Sequence, residues 1–306
     1  MRGRPYRRGP ARPAGVTVVF VQIHNDGVTL NLAEDGDPGA PPLLLLHGIT
    51  SFGGTWEWIV PELAERFRVL RLDFRGHGAS DRTPGEYGSR GYVSDAIAAC
   101  EQAIGRPCIV MGHSLGGGTA AIVMQQRPDL IRAAILEDPP LGIPEGADGN
   151  AREGHALTAA FSLMRQSLPA LQATGMSAEA LAGFLASVPT TTGATMGESI
   201  EADGLLSIAG SFLTVDAAVL DPVLDGTIDL LLDVDRPFDP PTLIVTADPA
   251  RPDALADPEL ARRFASISPA TEVLTIAGAG HLIHDEIASR PVFRAAVMEF
   301  LARVEP

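Results

Sequence analysis

Gly112-His113-Ser114-Leu115-Gly116 sets one hydroxyl among glycines, where the apolar run "CIVM" meets the helical pattern "GGTAAIVMQQ". A serine there acts as a nucleophile if the chain turns sharply enough to lift it above the strand end. Glycines on both sides remove the Cβ clashes such a turn creates. The plainer reading of Ser114 is a helix N-cap. A nucleophilic serine needs a base, and His281 in "GAGHLIHDE" offers one on a glycine-rich loop, in serine-then-histidine chain order. The base needs an acid to orient it. Asp138 and its neighbour Glu137 close the strand pattern "ILEDPP", where alternation points their side chains opposite ways. Asp248 and Asp253 lie in "TADPARPDALADPE", after a later strand.

Acyl chemistry also needs donors for a developing oxyanion, worth roughly 3–4 kcal/mol each. "HGITSFGGTW" follows a buried strand and can aim the Ile49 amide at the point the Leu115 amide faces. His47 reads as a backbone-bonding residue. "DFRGHGASD" has the glycines of a phosphate loop without its lysine, so it reads as a tight turn tied by Asp73 and Arg75. His281, His284 and Asp285 lack zinc-ligand spacing, and His284 is expected to open the last helix. No metal and no organic cofactor is expected.

These residues need elements to hold them. "VTVVFVQI" and "VTLNLAED" flank Asn25-Asp26-Gly27, an Asp-Gly hairpin pattern. "PPLLLLHG" is a continuous apolar run, as in a strand covered on both faces. "WEWIVPELAERF" reads as helix and "RVLRLDF" as strand. "YVSDAIAACEQAI" is a helix with Ser94 as its N-cap. Strand and helix then alternate through "PCIVMGHS", "GGTAAIVMQQRP" and "IRAAILEDPP", and again from "PPTLIVTAD" to "PVFRAAVMEFLARV". The pattern predicts an α/β fold: a mostly parallel sheet with helices on both faces. Between the two stretches, residues 141–237 read only as helix, an inserted lid. Its candidate pocket liners are Phe161, Met164, Met176, Phe184, Met196 and Phe212, each of which could equally pack lid helices together.

His47-Gly48, "DFRGHGAS", "GHSLGG" and "GAGH" together resemble the α/β-hydrolase superfamily, in its lidded esterase, lactonase and haloperoxidase-like branch. The resemblance covers about 45–140 and 240–300. It implies Ser114 as nucleophile, His281 as base, and the Ile49 and Leu115 amides as oxyanion donors. In that superfamily the acid usually follows the strand after the lid, where this chain has Ala250. Asp248 comes slightly early, and Asp253 fits only when counted back from Pro258. A minority places the acid one strand earlier, which is Asp138. The expectation is therefore Asp138, with Asp248 as the alternative and Asp253 or Glu137 behind them.

The resemblance thus implies a serine hydrolase acting on a carboxylic ester or lactone, and the aliphatic, aromatic-poor lid suits a substrate of medium size and apolar character. The alternatives are a ligand-sensing receptor with negligible turnover, or cofactor-free haloperoxidase or carbon–carbon hydrolase activity. The bulk properties fit. The 306 residues carry a net charge of −15, and five of the 23 basic residues fall within the first twelve positions. So acidic a body repels phosphate backbones, and no nucleic-acid partner is expected. Residues 1–15 read as a disordered Arg-rich tail, with 16–140 and 238–306 as the core. No apolar run approaches the length of a membrane span, so no membrane partner is expected; a homodimer is left open. Cys100 and Cys108 read as reduced, buried residues, which points to the cytoplasm.

Overall fold

The computed structural model describes residues 18–141, 156–190, 192–228 and 231–304. The tail assigned to residues 1–15 lies outside these. Eight strands run as β1 (Val19–Asn25), β2 (Val28–Asp35), β3 (Pro42–Leu46), β4 (Arg68–Asp73), β5 (Cys108–His113), β6 (Ile131–Glu137), β7 (Thr242–Thr246) and β8 (Thr271–Thr275). They form one sheet in the order β1-β2-β4-β3-β5-β6-β7-β8. The β1–β2 and β2–β4 pairs are antiparallel and every later pair is parallel. Asp26 and Gly27 turn the first hairpin at φ +50° and +83°, the pair of positive φ angles that a two-residue type I′ turn requires.

Around the sheet lie α1 (Val60–Leu63), α2 (Ser89–Ala98), α3 (Leu115–Gln126), α4 (Ala156–Ala173), α5 (Ala178–Leu185), α6 (Met196–Ser199), α7 (Ala202–Thr214), α8 (Asp221–Leu224), α9 (Pro258–Ile267) and α10 (Arg290–Val304). Strand β3 shows why the sheet is covered twice. Leu44 and Leu46 join Val110 and the α2 and α3 side chains in one core. Leu43 and Leu45 join Ile109, Met111 and α10 residues such as Phe293 and Val297 in the other. Each fully buried leucine stabilises the fold by roughly 1.5–3 kcal/mol.

Helices α4 to α8 occupy the chain between β6 and β7, and no sheet strand falls there among the described residues. Their own core is Leu181 and Leu185 of α5 against Leu205 and Ala209 of α7, with Ile200. Ser177 caps α5 by accepting from the Ala180 amide, and Thr195 and Glu198 form a capping box on α6. Residues 142–155, at the start of the expected insertion, lie outside the described residues.

Three local expectations are corrected. Helix α2 begins at Ser89, so Ser94 is no N-cap; it sits inside the helix because its Oγ accepts a bond from Asn25 of β1 at 2.9 Å. The last helix begins at Arg290, so His284 does not open it and is buried instead. Met176 and Phe184 are 39% and 64% exposed and line no pocket with Ser114, because α5 turns Leu181 and Leu185 inward and Phe184 out. Among the described residues no single helix is long and apolar enough to cross a membrane.

Candidate active site

The turn from β5 into α3 holds a non-glycine residue at positive φ. Ser114 sits at φ +51°, ψ −118°, a conformation costing about 1–3 kcal/mol for a non-glycine residue. Neighbouring glycines make it attainable. A Cβ on Gly112 would lie 2.4 Å from Gly116 backbone atoms, and one on Gly116 would lie 2.4 Å from the Leu46 carbonyl oxygen. The turn is held from β6, whose Glu137 carbonyl accepts from the Ser114 amide at 2.8 Å.

The loop after β8 brings His281 to this serine: its Nε2 lies 3.0 Å from Ser114 Oγ. On the other side His281 Nδ1 is 2.7 Å from Asp138 Oδ2. Asp138 is wholly buried. Its Oδ1 accepts from the Ala247 and Ala256 amides, both at 3.1 Å, and its Oδ2 from the Leu255 amide at 2.9 Å. Burial works to raise its carboxyl pKa, but the bonds from His281 and the loop amides outweigh that and hold it below the usual value. The loop after β7, where a related chain would carry its acid, here supplies amides to an acid from β6.

The other acids lie elsewhere. Asp248 accepts from the Gly278 and Ala250 amides and joins two surface loops. Asp253 pairs with Arg251 at 3.1 Å. Glu137 points away from Asp138, and both its oxygens lie 2.9 Å from His284 Nδ1. Burial raises the Glu137 pKa to about 7.

The β3 loop closes over the serine. A Cβ on Gly48 would be 2.8 Å from His113 Nδ1 and 3.4 Å from Ser114 Cβ. Two histidines hold its carbonyls. His47 accepts from the Phe74 amide on Nε2, so its Nδ1 donates to the Gly48 carbonyl at 2.8 Å. His77 spans the carbonyls of Ile49 (2.6 Å) and Arg75 (2.8 Å). Burial lowers its pKa. The turn beneath is tied as expected. Asp73 accepts from the Gly53 and Ala79 amides, and Arg75 forks onto Asp95 at 2.9 and 2.7 Å.

His113, Glu137 and His284 also converge. They are buried, and their ligand atoms lie within 4.8 Å of one another. Hydrogen bonds already engage each one: His113 Nε2 donates to the His281 carbonyl at 2.9 Å, and His284 bonds Glu137. Burial pushes the His113 pKa down to about 3, so the neutral ring makes that bond and fixes the His281 backbone. Sequence reasoning missed His113, Thr55, Asp95 and the Glu137–His284 pair. Only the strand alternation at Glu137 bore on any of them, and it gave no partner.

One cavity exposes this assembly. Its floor is Gly48, Ile49, Ser114 and His281, and its walls include Phe161, Met164, Met196 and Phe212 from the helices between β6 and β7. Four of the six expected liners therefore do face the serine.

The pattern that defines the alpha/beta hydrolase family matches residues 43–296. A 2-(acetamidomethylene)succinate hydrolase of Mesorhizobium japonicum is 33% identical over 111 residues, 36% of this chain and 39% of the relative's length. The chain therefore matches well under half of that relative in sequence. Among solved structures, an E-2-(acetamidomethylene)succinate hydrolase superposes with a TM-score of 0.69 at 22% identity, covering 94% of this chain and all of that one. The enol-lactonase of Burkholderia xenovorans LB400 superposes with a TM-score of 0.66 at 21% identity, covering 92% of this chain and all of that one. At these identities the superpositions speak for the fold.

Proposed function

The chain belongs to the alpha/beta hydrolase family, and from that premise we propose that it is a serine hydrolase cleaving a neutral carboxylic ester or lactone through an acyl-enzyme. The observation that carries the reading is the unbroken Ser114–His281–Asp138 sequence of hydrogen bonds at 3.0 and 2.7 Å, opening into one cavity. His281 Nε2 takes the Ser114 proton as Oγ attacks the ester carbonyl. Asp138, held ionised by the loop amides, stabilises the imidazolium and keeps its Nδ1 proton in place. The Ile49 and Leu115 amides receive the oxyanion: Leu115 is the first residue of α3, so its amide has no acceptor within the helix, and His77 fixes the Ile49 peptide. The tetrahedral adduct collapses, and His281 gives its proton to the leaving alcohol. Water then repeats the sequence on the acyl-enzyme and regenerates Ser114.

The cavity supports a neutral substrate. Among the described residues no arginine lines it, and the chain has no lysine, whereas Asp253 and Asp285 do line it. A substrate carboxylate would meet like charge without a partner. On this reading, helices α4 to α8 act as a lid whose Phe161, Met164, Met196 and Phe212 shape the apolar part of the site. The test is a panel of p-nitrophenyl esters and lactones run on the native protein and Ser114→Ala. Turnover of neutral esters or lactones that disappears in Ser114→Ala is expected. Equal turnover in both, or turnover confined to dicarboxylates, would overturn the proposal.

A further inference from the structure

The cavity has a second polar wall that the acyl-transfer chemistry leaves unused. Thr55, His284 and Asp285 line it, at 4%, 1% and 2% exposure. His284 Nε2 lies 2.9 Å from Thr55 Oγ1 and 3.6 Å from Asp285 Oδ2. Its Nδ1 is bonded to Glu137. Thr55, His284 and Glu137 therefore repeat the order hydroxyl, imidazole, carboxylate beside the first set. The rings of His281 and His284 both pack against His113, at centroid distances of 4.7 and 4.9 Å. The second wall is thus one ring away from the scissile position.

We propose that Thr55, His284 and Asp285 form a hydroxyl-binding subsite, so that the substrate carries a hydroxyl group close to its scissile carbonyl. The choice of group follows from what the wall can offer. An anion would face Asp285. A cation is already supplied to Asp285 by Arg290, 3.5 Å away and stacked over Trp58. A neutral group remains. With Glu137 ionised, His284 holds its proton on Nδ1 and Thr55 donates to Nε2, leaving the Thr55 oxygen as an acceptor beside the Asp285 carboxylate. With Glu137 protonated the relay reverses, and Thr55 Oγ1 is free to donate. Burial sets that proton exchange near pH 7. A hydroxyl both gives and takes a hydrogen bond, so it matches the wall in either state. Each of these side chains already has a protein partner, so a ligand lacking the hydroxyl forfeits one hydrogen bond to the spare capacity of Thr55 Oγ1.

The substrate half of this inference rests on the ester or lactone reading; the binding half does not, and the experiment reads binding. Hexan-2-one and its 1-, 3- and 4-hydroxy derivatives, which set a hydroxyl at increasing distance from a carbonyl, are titrated into Ser114→Ala protein by calorimetry. Fluorescence of Trp56, which stacks on His284 at 4.7 Å, is followed in parallel. At least one hydroxyketone is expected to bind about tenfold more tightly than hexan-2-one, the ratio one well-made hydrogen bond provides. Adding Thr55→Val or Asp285→Asn should bring that ratio close to one, and Thr55→Ser should keep it. If hexan-2-one binds as well as every hydroxyketone, or if the preference survives both Thr55→Val and Asp285→Asn, the subsite is wrong. Missing ester turnover in the native protein would sink the proposed activity alone, since these titrations involve no turnover.

Discussion

Two carboxylates stand side by side at the end of β6, and two histidines stand three residues apart on the loop after β8, yet the pairs they form differ. Asp138 receives three backbone amides as well as His281 and stays a strong acid. Glu137 receives only the backbone and ring of His284, and burial carries its pKa to about 7. The bond from His281, together with the three amides aimed at Asp138, makes the difference. A carboxylate fixed in its charge can stabilise an imidazolium next to a nucleophile. One that exchanges its proton near neutrality is suited to holding a loop and sharing hydrogen bonds. Strand alternation sends the two side chains to opposite sides, and each side then sets its own chemistry.

The comparison can be broken from its stronger half first. Ser114→Ala should lower kcat by about 10⁶, as removal of a triad nucleophile does elsewhere, with the circular dichroism spectrum unchanged. Asp138→Asn should lower kcat by about 10⁴, because His281 then loses the partner that fixes its tautomer. If Glu137→Gln costs as much as Asp138→Asn in the same assay, the division of labour drawn here fails. Phe212→Ala should shift the preferred acyl chain toward bulkier groups by roughly tenfold in relative kcat/KM; an unchanged profile would remove α7 from the substrate site.

The weaker half is sharpened by stability against pH. Glu137 has a folded pKa above its unfolded value of 4.5. Its contribution is present below about pH 4.5 and is lost as pH rises through about 7. His284 and His113 have folded pKa values below 6.5. Their contributions are present above pH 6.5 and are lost as pH falls. The slopes oppose each other between pH 5 and 7, so Glu137 offsets part of the loss that the two histidines cause there. Glu137→Gln removes one slope, and its Tm should fall more steeply than the native protein's on going from pH 7 to 5. Parallel Tm curves would contradict the assignment. Asp248→Asn, which touches only surface loops, should have the smallest effect, leaving Tm and kcat close to those of the native protein.

Much of the strong pair was legible in the sequence, and little of the weak one. Ser114 announces itself because a strained turn demands glycines within a few positions. The eight strands are legible because their apolar runs and turn residues are local. Asp138 could be chosen among four acids because strand ends share one edge of the sheet. Thr55, His113 and the Glu137–His284 pair carry no such mark, since His284 and Glu137 meet across 147 residues and the strand pattern at Glu137 names no partner. Ser94 misled for a similar reason: its polarity serves Asn25 on another strand rather than the start of its own helix. Phe184 misled because α5 is apolar on more than one face, and only its contact with α7 decides which face turns inward.

The central claim is that Ser114 is the nucleophile, driven by His281 and Asp138. A fluorophosphonate followed by peptide mapping tests it most directly. The account predicts one adduct per chain, on the peptide bearing Ser114, absent in Ser114→Ala, strongly slowed in Asp138→Asn and unslowed in Asp248→Asn. An adduct on Thr55 or any other residue, or labelling that Asp138→Asn leaves as fast as in the native protein, would contradict it.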